Sequence, residues 1–214
     1  MLVDAQPSEP PLEKRAQKFE ELIENNTGSL GTGIGIITVG YPGAGKTEAA
    51  REFEQVLRQE STENVINVDL NSFADVLESD LRGDKDFIDA VLNEVPSIKS
   101  AGCGVIDGAA SFEEIERISN YFSDIFIVYI RCHHAARHAR LISDAAEKGN
   151  DHQEKYQRKG LRQRDTEAAR LGLNDILEIE FFDYRIKNEN EELEEFQGYC
   201  RYVGRDLYQD WVYR

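Results

Sequence analysis

The stretch Ile34-Gly35-Ile36-Ile37-Thr38-Val39-Gly40-Tyr41-Pro42-Gly43-Ala44-Gly45-Lys46-Thr47 sets the reading of this chain. Ile34 to Val39 is short, β-branched and bounded by glycines, which is the pattern of a buried strand. Thr47 to about Gln59 carries Ala49, Phe53, Val56 and Leu57 on one side, the pattern of a helix. Between them, Gly40, Tyr41, Pro42, Gly43, Ala44, Gly45, Lys46 and Thr47 match G-x-x-x-x-G-K-[ST] in the strand–loop–helix setting that gives the pattern its meaning. The glycines let the backbone approach phosphate oxygens, and the helix N-terminus offers partial positive charge. Lys46 can reach the β- and γ-phosphates of ATP or GTP, and the Thr47 hydroxyl can ligate Mg²⁺. The nearby Gly31-x-Gly33-x-Gly35 precedes its strand instead of following it, so it cannot work as a dinucleotide loop.

On either side of this stretch, strands alternate with helices. Val65–Asp69, Gly104–Asp107, Asp124–Ile130 and Tyr184–Asn188 read as further strands. Helices are expected around Ser72–Leu81, Lys85–Leu92, Phe112–Tyr121, His134–Ala145 and Glu191–Tyr202, with helical pieces over about Asp165–Leu177. Ser111 is the expected cap of its helix, with Glu114 as capping-box partner. Five strands separated by helices predict an α/β protein with a doubly wound, parallel five-stranded sheet. Residues 1–30 read as an N-terminal extension, proline-rich at its start and amphipathic from about Leu12 to Ile23; residues 31–214 read as one domain. Tyr208, Trp211 and Tyr213 in the tail are expected to pack on that domain, the alternative being that they serve a partner.

The formal net charge is −16, from 41 Asp and Glu against 25 Lys and Arg. Such a surface repels nucleic-acid backbones and anionic membranes, which argues against general affinity for either. Three scattered cysteines make no disulfide framework. With no apolar run of membrane-spanning length and no signal-peptide pattern, a cytoplasmic protein is expected.

Two strands end in carboxylates. Asp107, closing Val105-Ile106-Asp107-Gly108, is placed to face Mg²⁺ directly or through water. Asp69 ends the preceding strand in the same way. It reads either as a base for an attacking hydroxyl or as the N-cap of the next helix.

In four segments the chain resembles the P-loop nucleotide kinases, and within them an archaeal group related to dephospho-CoA kinase and adenylate kinase. The segments are Thr38 to Ala50, Val105 to Gly108, Arg164-Asp165 with Leu171-Gly172-Leu173, and Asp183 to Asn188. The resemblance runs from about Gly35 to Val203. It implies a P-loop kinase-like fold with a helical lid, here the polar stretch of about 146–164. It also implies lid arginines that close over the transferred phosphoryl group. Arg137 and Arg140 lead into that stretch, and Arg162 and Arg164 lie on its return. These arginines read alternatively as solvated surface residues. Relatives tend to carry an arginine just after the Asp-Gly pair and another shortly after the second strand. This chain has Ala109-Ala110 and Asn71-Ser72 there.

Cys132-His133-His134 with His138 lacks a second ligand pair and does not read as a metal site. The expected function is therefore transfer of the γ-phosphoryl of ATP, with Mg²⁺, to a small phosphorylated, nucleotide-like or CoA-precursor-like acceptor. Lys46, Asp69, Asp107, Arg137, Arg140 and Arg164 are the expected catalytic set, and Thr47 and Asp107 the metal ligands. The alternatives are an ATPase or nucleotide-dependent regulator with a degenerate acceptor site, and a nucleic-acid end kinase.

Overall fold

The computed structural model describes residues 33–76, 86–94, 102–148, 158–180, 182–189 and 192–214, together with Gln17. The N-terminal extension otherwise lies outside the described residues. β1 (Ile34–Val39) is buried along its whole length and sits at the centre of the sheet. Its neighbours are β3 (Cys103–Ala109) and β4 (Asp124–Arg131), with β2 (Val65–Asp69) and β5 (Tyr184–Lys187) at the edges. The order is β2-β3-β1-β4-β5, and every pairing is parallel. A parallel strand buried on both faces has no polar side to alternate with, which is why β1 and β3 read as nearly continuous apolar runs.

Helices cover both faces, as expected of a doubly wound sheet. α1 (Lys46–Glu60) and α8 (Leu193–Val212) pack Phe53, Leu57, Phe196, Val203 and Leu207 against Ile34, Ile36, Val105 and Phe126. On the other face lie α2 (Leu70–Val76), α3 (Asp86–Glu94), α4 (Phe112–Ser119) and α7 (Leu173–Ile179). Phe87, Val91, Ile115, Ile118 and Ile176 meet Ile37, Val39, Val68 and Ile106 there. Two cores are thus formed, one on each side of a single sheet.

Several element ends differ from the sequence expectation. The last helix continues past the expected Tyr202 and ends at Val212, because Phe196, Cys200, Val203 and Leu207 keep one apolar stripe facing the core. Tyr208 and Trp211 pack against that core as expected, whereas Tyr213 is 85% exposed. The helical pieces expected over 165–177 are α6 (Arg158–Leu171), which starts earlier than expected, and α7, separated at Gly172 with φ 112°. In the expected lid, residues 146–148 end α5 (His134–Lys148), residues 158–164 begin α6, and 149–157 lie outside the described residues. Ser111 caps α4 as expected, accepting from Glu114 N at 3.1 Å; the Glu114 carboxylate, however, takes the N–H of Ala110.

Candidate nucleotide-binding site

Parallel strands deliver all their carboxyl ends to one edge, and the site lies there. Strand register sets three polar residues side by side: Asp69 pairs with Asp107 across β2 and β3, and Asp107 with Thr38 across β3 and β1. Asp107 is 1% exposed and Thr38 fully buried. The Thr38 hydroxyl donates to Asp107 Oδ1 at 2.7 Å, and the Thr47 hydroxyl donates to Oδ2 at 2.7 Å. Thr38 Oγ1 also accepts the Gly108 N–H at 3.2 Å, and its one proton is committed to Asp107. The carboxylate is thereby fixed in rotation at the base of the loop. Sequence reasoning missed Thr38 as a site residue; a hydroxyl near the end of the strand that feeds the loop was the signal that could have found it.

The loop itself turns through Gly43 at φ 76° and Gly45 at φ 98°, a region that favours glycine. Gly45 directly precedes α1, so the loop runs into a helix N-terminus. Lys46 Nζ donates to the Tyr41 carbonyl at 3.2 Å, folding the ammonium group over the loop. Arg137 Nη1 donates to the Pro42 carbonyl at 3.0 Å, and Asn188 Nδ2 to the Ala44 carbonyl at 2.9 Å. Two carbonyls are thus held by side chains from α5 and from just past β5.

Arg137 is neither a solvated surface residue nor a free lid arginine. It is 4% exposed, forks onto Asp165 with contacts of 2.7 and 2.9 Å, and lies over the Tyr41 ring at 4.9 Å from the centroid. Tyr41 in turn donates to Asn174 on α7. Burial and the Asp165 carboxylate raise the Tyr41 pKa above the ordinary phenol value, against the pull of Arg137. Arg140 is also engaged, with Asn188 Oδ1 at 2.7 Å and Cys132 Sγ at 3.3 Å. Burial pushes the Cys132 thiol up while Arg140 and Arg137 act in the opposite direction. Arg162 and Arg164 are exposed on α6.

At the other end of the site, Asp69 serves its own chain. Its Oδ1 accepts from Asn71 N at 2.9 Å and Ser72 N at 3.3 Å, and its Oδ2 from Ser72 Oγ at 2.6 Å. This is the capping geometry of α2. Ala109 and Ala110, which follow the Asp-Gly pair, are buried. The rings of His134 and His138 stack 6.4 Å apart, and no group of three or more His, Cys, Asp or Glu able to hold a metal occurs among the described residues. No described helix is long and apolar enough to cross a membrane.

A glycine loop running from the central strand into a helix, over a sheet of order β2-β3-β1-β4-β5, defines a P-loop kinase-like α/β protein. A solved shikimate kinase from Bacteroides thetaiotaomicron shares this fold at a TM-score of 0.50 and 17% identity, covering 82% of this chain and 98% of that one. The APS kinase of Mycobacterium tuberculosis aligns at a TM-score of 0.49 and 15% identity, over 84% of this chain and 99% of that one. The UPF0200 protein of Pyrobaculum aerophilum is 30% identical over 175 residues, 77% of this chain and 93% of that protein. The chain belongs to the UPF0200 family. No protein-family model matches it.

Proposed function

We propose that the protein is an ATP-binding phosphotransferase that passes the γ-phosphoryl group to a hydroxyl on a small nucleotide-like or CoA-precursor-like acceptor. One observation carries this reading: the Thr47 hydroxyl of the phosphate loop is bonded to a buried carboxylate, Asp107, that is locked by Thr38. Two hard oxygen donors, Thr47 Oγ1 and Asp107 Oδ2, lie 2.7 Å apart at the base of a loop built for phosphates, a donor set that fits Mg²⁺. Thr47 and Asp107 would hold the ion, which when bound neutralises charge on the phosphate oxygens. Lys46 would leave the Tyr41 carbonyl for the β- and γ-phosphates. Asp69 would take a proton from an acceptor hydroxyl that replaces Ser72 Oγ at Oδ2.

Residues 31–214 would then act as one kinase-like domain, with the lid at about 146–164 excluding water from the reaction. Arg162 and Arg164, exposed at the lid's return, would reach the phosphoryl group, and Arg137 and Arg140 would contribute after exchanging their present partners. Net charge −16 favours a small acceptor over a nucleic-acid end.

A second reading, an ATPase or nucleotide-dependent regulator, is favoured by the acceptor end: Ala109 and Ala110 are buried and Asp69 is occupied as a cap. Calorimetry with ATP and Mg²⁺ tests nucleotide binding. A phosphotransfer screen across nucleosides and CoA precursors then separates the readings. Acceptor-dependent ADP release supports the kinase; release indifferent to every acceptor supports the ATPase; absence of nucleotide binding sinks both.

A further inference from the structure

We infer that Asn188 is a positioning residue of the phosphate loop, setting the direction of the Gly45 N–H and coupling it to Arg140; this rests on the nucleotide-binding reading above. Asn188 follows the last residue of β5 and is 5% exposed. Its amide is filled on both sides. Nδ2 donates to the Ala44 carbonyl at 2.9 Å, and Oδ1 accepts from Arg140 Nη2 at 2.7 Å. A carbonyl only accepts and a guanidinium only donates, so the amide has one possible orientation. Its own backbone N–H donates to Arg131 O at 2.8 Å, which ties it to the end of β4. The backbone of the residue is therefore anchored by the sheet, and its side chain reaches from there to the loop and to Arg140.

Peptide planarity carries that anchoring into the loop. In a trans peptide the C=O and the next N–H point in opposite directions. The described chain has no cis peptide, so holding the Ala44 carbonyl toward Asn188 turns the Gly45 N–H away from Asn188. That N–H belongs to the run of loop amides that would line an anion site. The fit is close: a methyl group on Gly45 would collide with the Asn188 amide. An amide direction fixed before the phosphate arrives lowers the ordering cost of binding. Through Oδ1, the same side chain holds the guanidinium of Arg140, so the loop and the helix leading to the lid share one anchor.

The test uses the full chain with two variants, Asn188→Asp and Asn188→Ser. Aspartate keeps the size and the acceptor facing Arg140 but sets an oxygen against the Ala44 carbonyl. Serine is too short to reach both partners. Two quantities are read: the affinity for ADP with Mg²⁺, and the amide proton resonance of Gly45 with and without ADP. The expected result is a loss of roughly tenfold in affinity for each folded variant, the equivalent of one neutral hydrogen bond. In the wild type, ADP should move the Gly45 amide proton downfield as it gains a strong acceptor; in the variants that movement should shrink or vanish. A purely structural asparagine would lower the melting temperature without changing the Gly45 shift on ADP binding. Wild-type affinity, or a wild-type Gly45 shift, in either folded variant overturns the inference. Lys46→Ala separates the two readings. If Lys46→Ala loses ADP while Asn188→Asp retains it, only the Asn188 inference falls; if the wild type does not bind ADP, both fall together.

Discussion

The two ends of the site are held in different ways. At the nucleotide end, one buried carboxylate receives a hydroxyl on each oxygen, and side chains from α5 and from past β5 hold two loop carbonyls. Each of those partners comes from a different part of the fold, β1, α1, α5 and the end of β5, so residues far apart in the chain set the loop's surroundings. At the acceptor end, Asp69 is bonded to residues two and three positions further along its own chain. Those bonds complete the Asp69 carboxylate without a ligand, and Ala109 and Ala110 supply no charge. The site is therefore preorganised from several elements at one end and satisfied by its own neighbouring residues at the other.

The largest expected effect concerns that acceptor end. A nucleoside monophosphate presents a dianion, and arginines hold such groups through charge-assisted bonds. Two missing contacts at roughly 1.5–3 kcal/mol each lower affinity by about two to four orders of magnitude. AMP, CMP, GMP and UMP should therefore turn over poorly in a coupled ADP-release assay at millimolar concentration. Brisk turnover with a low KM would erase the contrast between the two ends, by showing that an arginine from elsewhere, such as Arg117, which now pairs with Asp89, serves the acceptor.

At the nucleotide end, Lys46→Ala should weaken binding of ATP with Mg²⁺ by about 10- to 100-fold, one or more charge-assisted contacts being lost. Calorimetry measures the affinity, and circular dichroism checks that the fold persists. Unchanged affinity in a folded variant would remove the loop from nucleotide binding.

Thr38→Val probes how far the rigidity of the nucleotide end depends on one buried hydroxyl. Valine fills the space of the threonine but leaves Gly108 N–H without its acceptor and Asp107 without one donor. Stability should fall by about 1–3 kcal/mol, and the Mg²⁺ concentration needed for nucleotide binding should rise. Denaturant unfolding and a Mg²⁺ titration read the two effects separately. A stability loss with no change in Mg²⁺ requirement would confine Thr38 to the core.

Asp69→Ala is expected to cost about 1 kcal/mol, the ordinary worth of a helix cap. Thermal unfolding measures it. A loss of phosphotransfer far exceeding that loss of stability would move Asp69 from the cap into the chemistry.

The smallest effect belongs to Asp183, which directly precedes β5 and bonds to Ile127 in the middle of β4. Burial raises its pKa above the usual carboxylate value, against the hydrogen bond from Ile127 N. Because the folded pKa is raised, its contribution to stability is present at low pH and fades as pH rises through that pKa. Asp183→Asn keeps an acceptor for Ile127 N and removes the titration. Its stability curve should lack that fall over the acid range, as read by unfolding at stepped pH.

The loop, the strands and the parallel α/β class were legible along the chain because their signals are local: β-branched runs, glycines at fixed offsets and a lysine at a helix start. So was the placing of Asp69 at the end of β2; Asp107 is expected to close its strand too, but β3 runs two residues further, to Ala109. Along the chain Asp107 reads as a carboxylate facing a metal, and Asp69 as either a base or a helix cap. Tertiary structure separates them: Asp107 is gripped from β1 and α1, while Asp69 caps α2. The pairing of Arg137 with Asp165, and of Asn188 with Ala44 and Arg140, joins residues 28, 144 and 48 positions apart. No spacing rule along the chain reaches that far; strand order and helix packing bring those groups together, and hydrogen-bond geometry then fixes what each one can do.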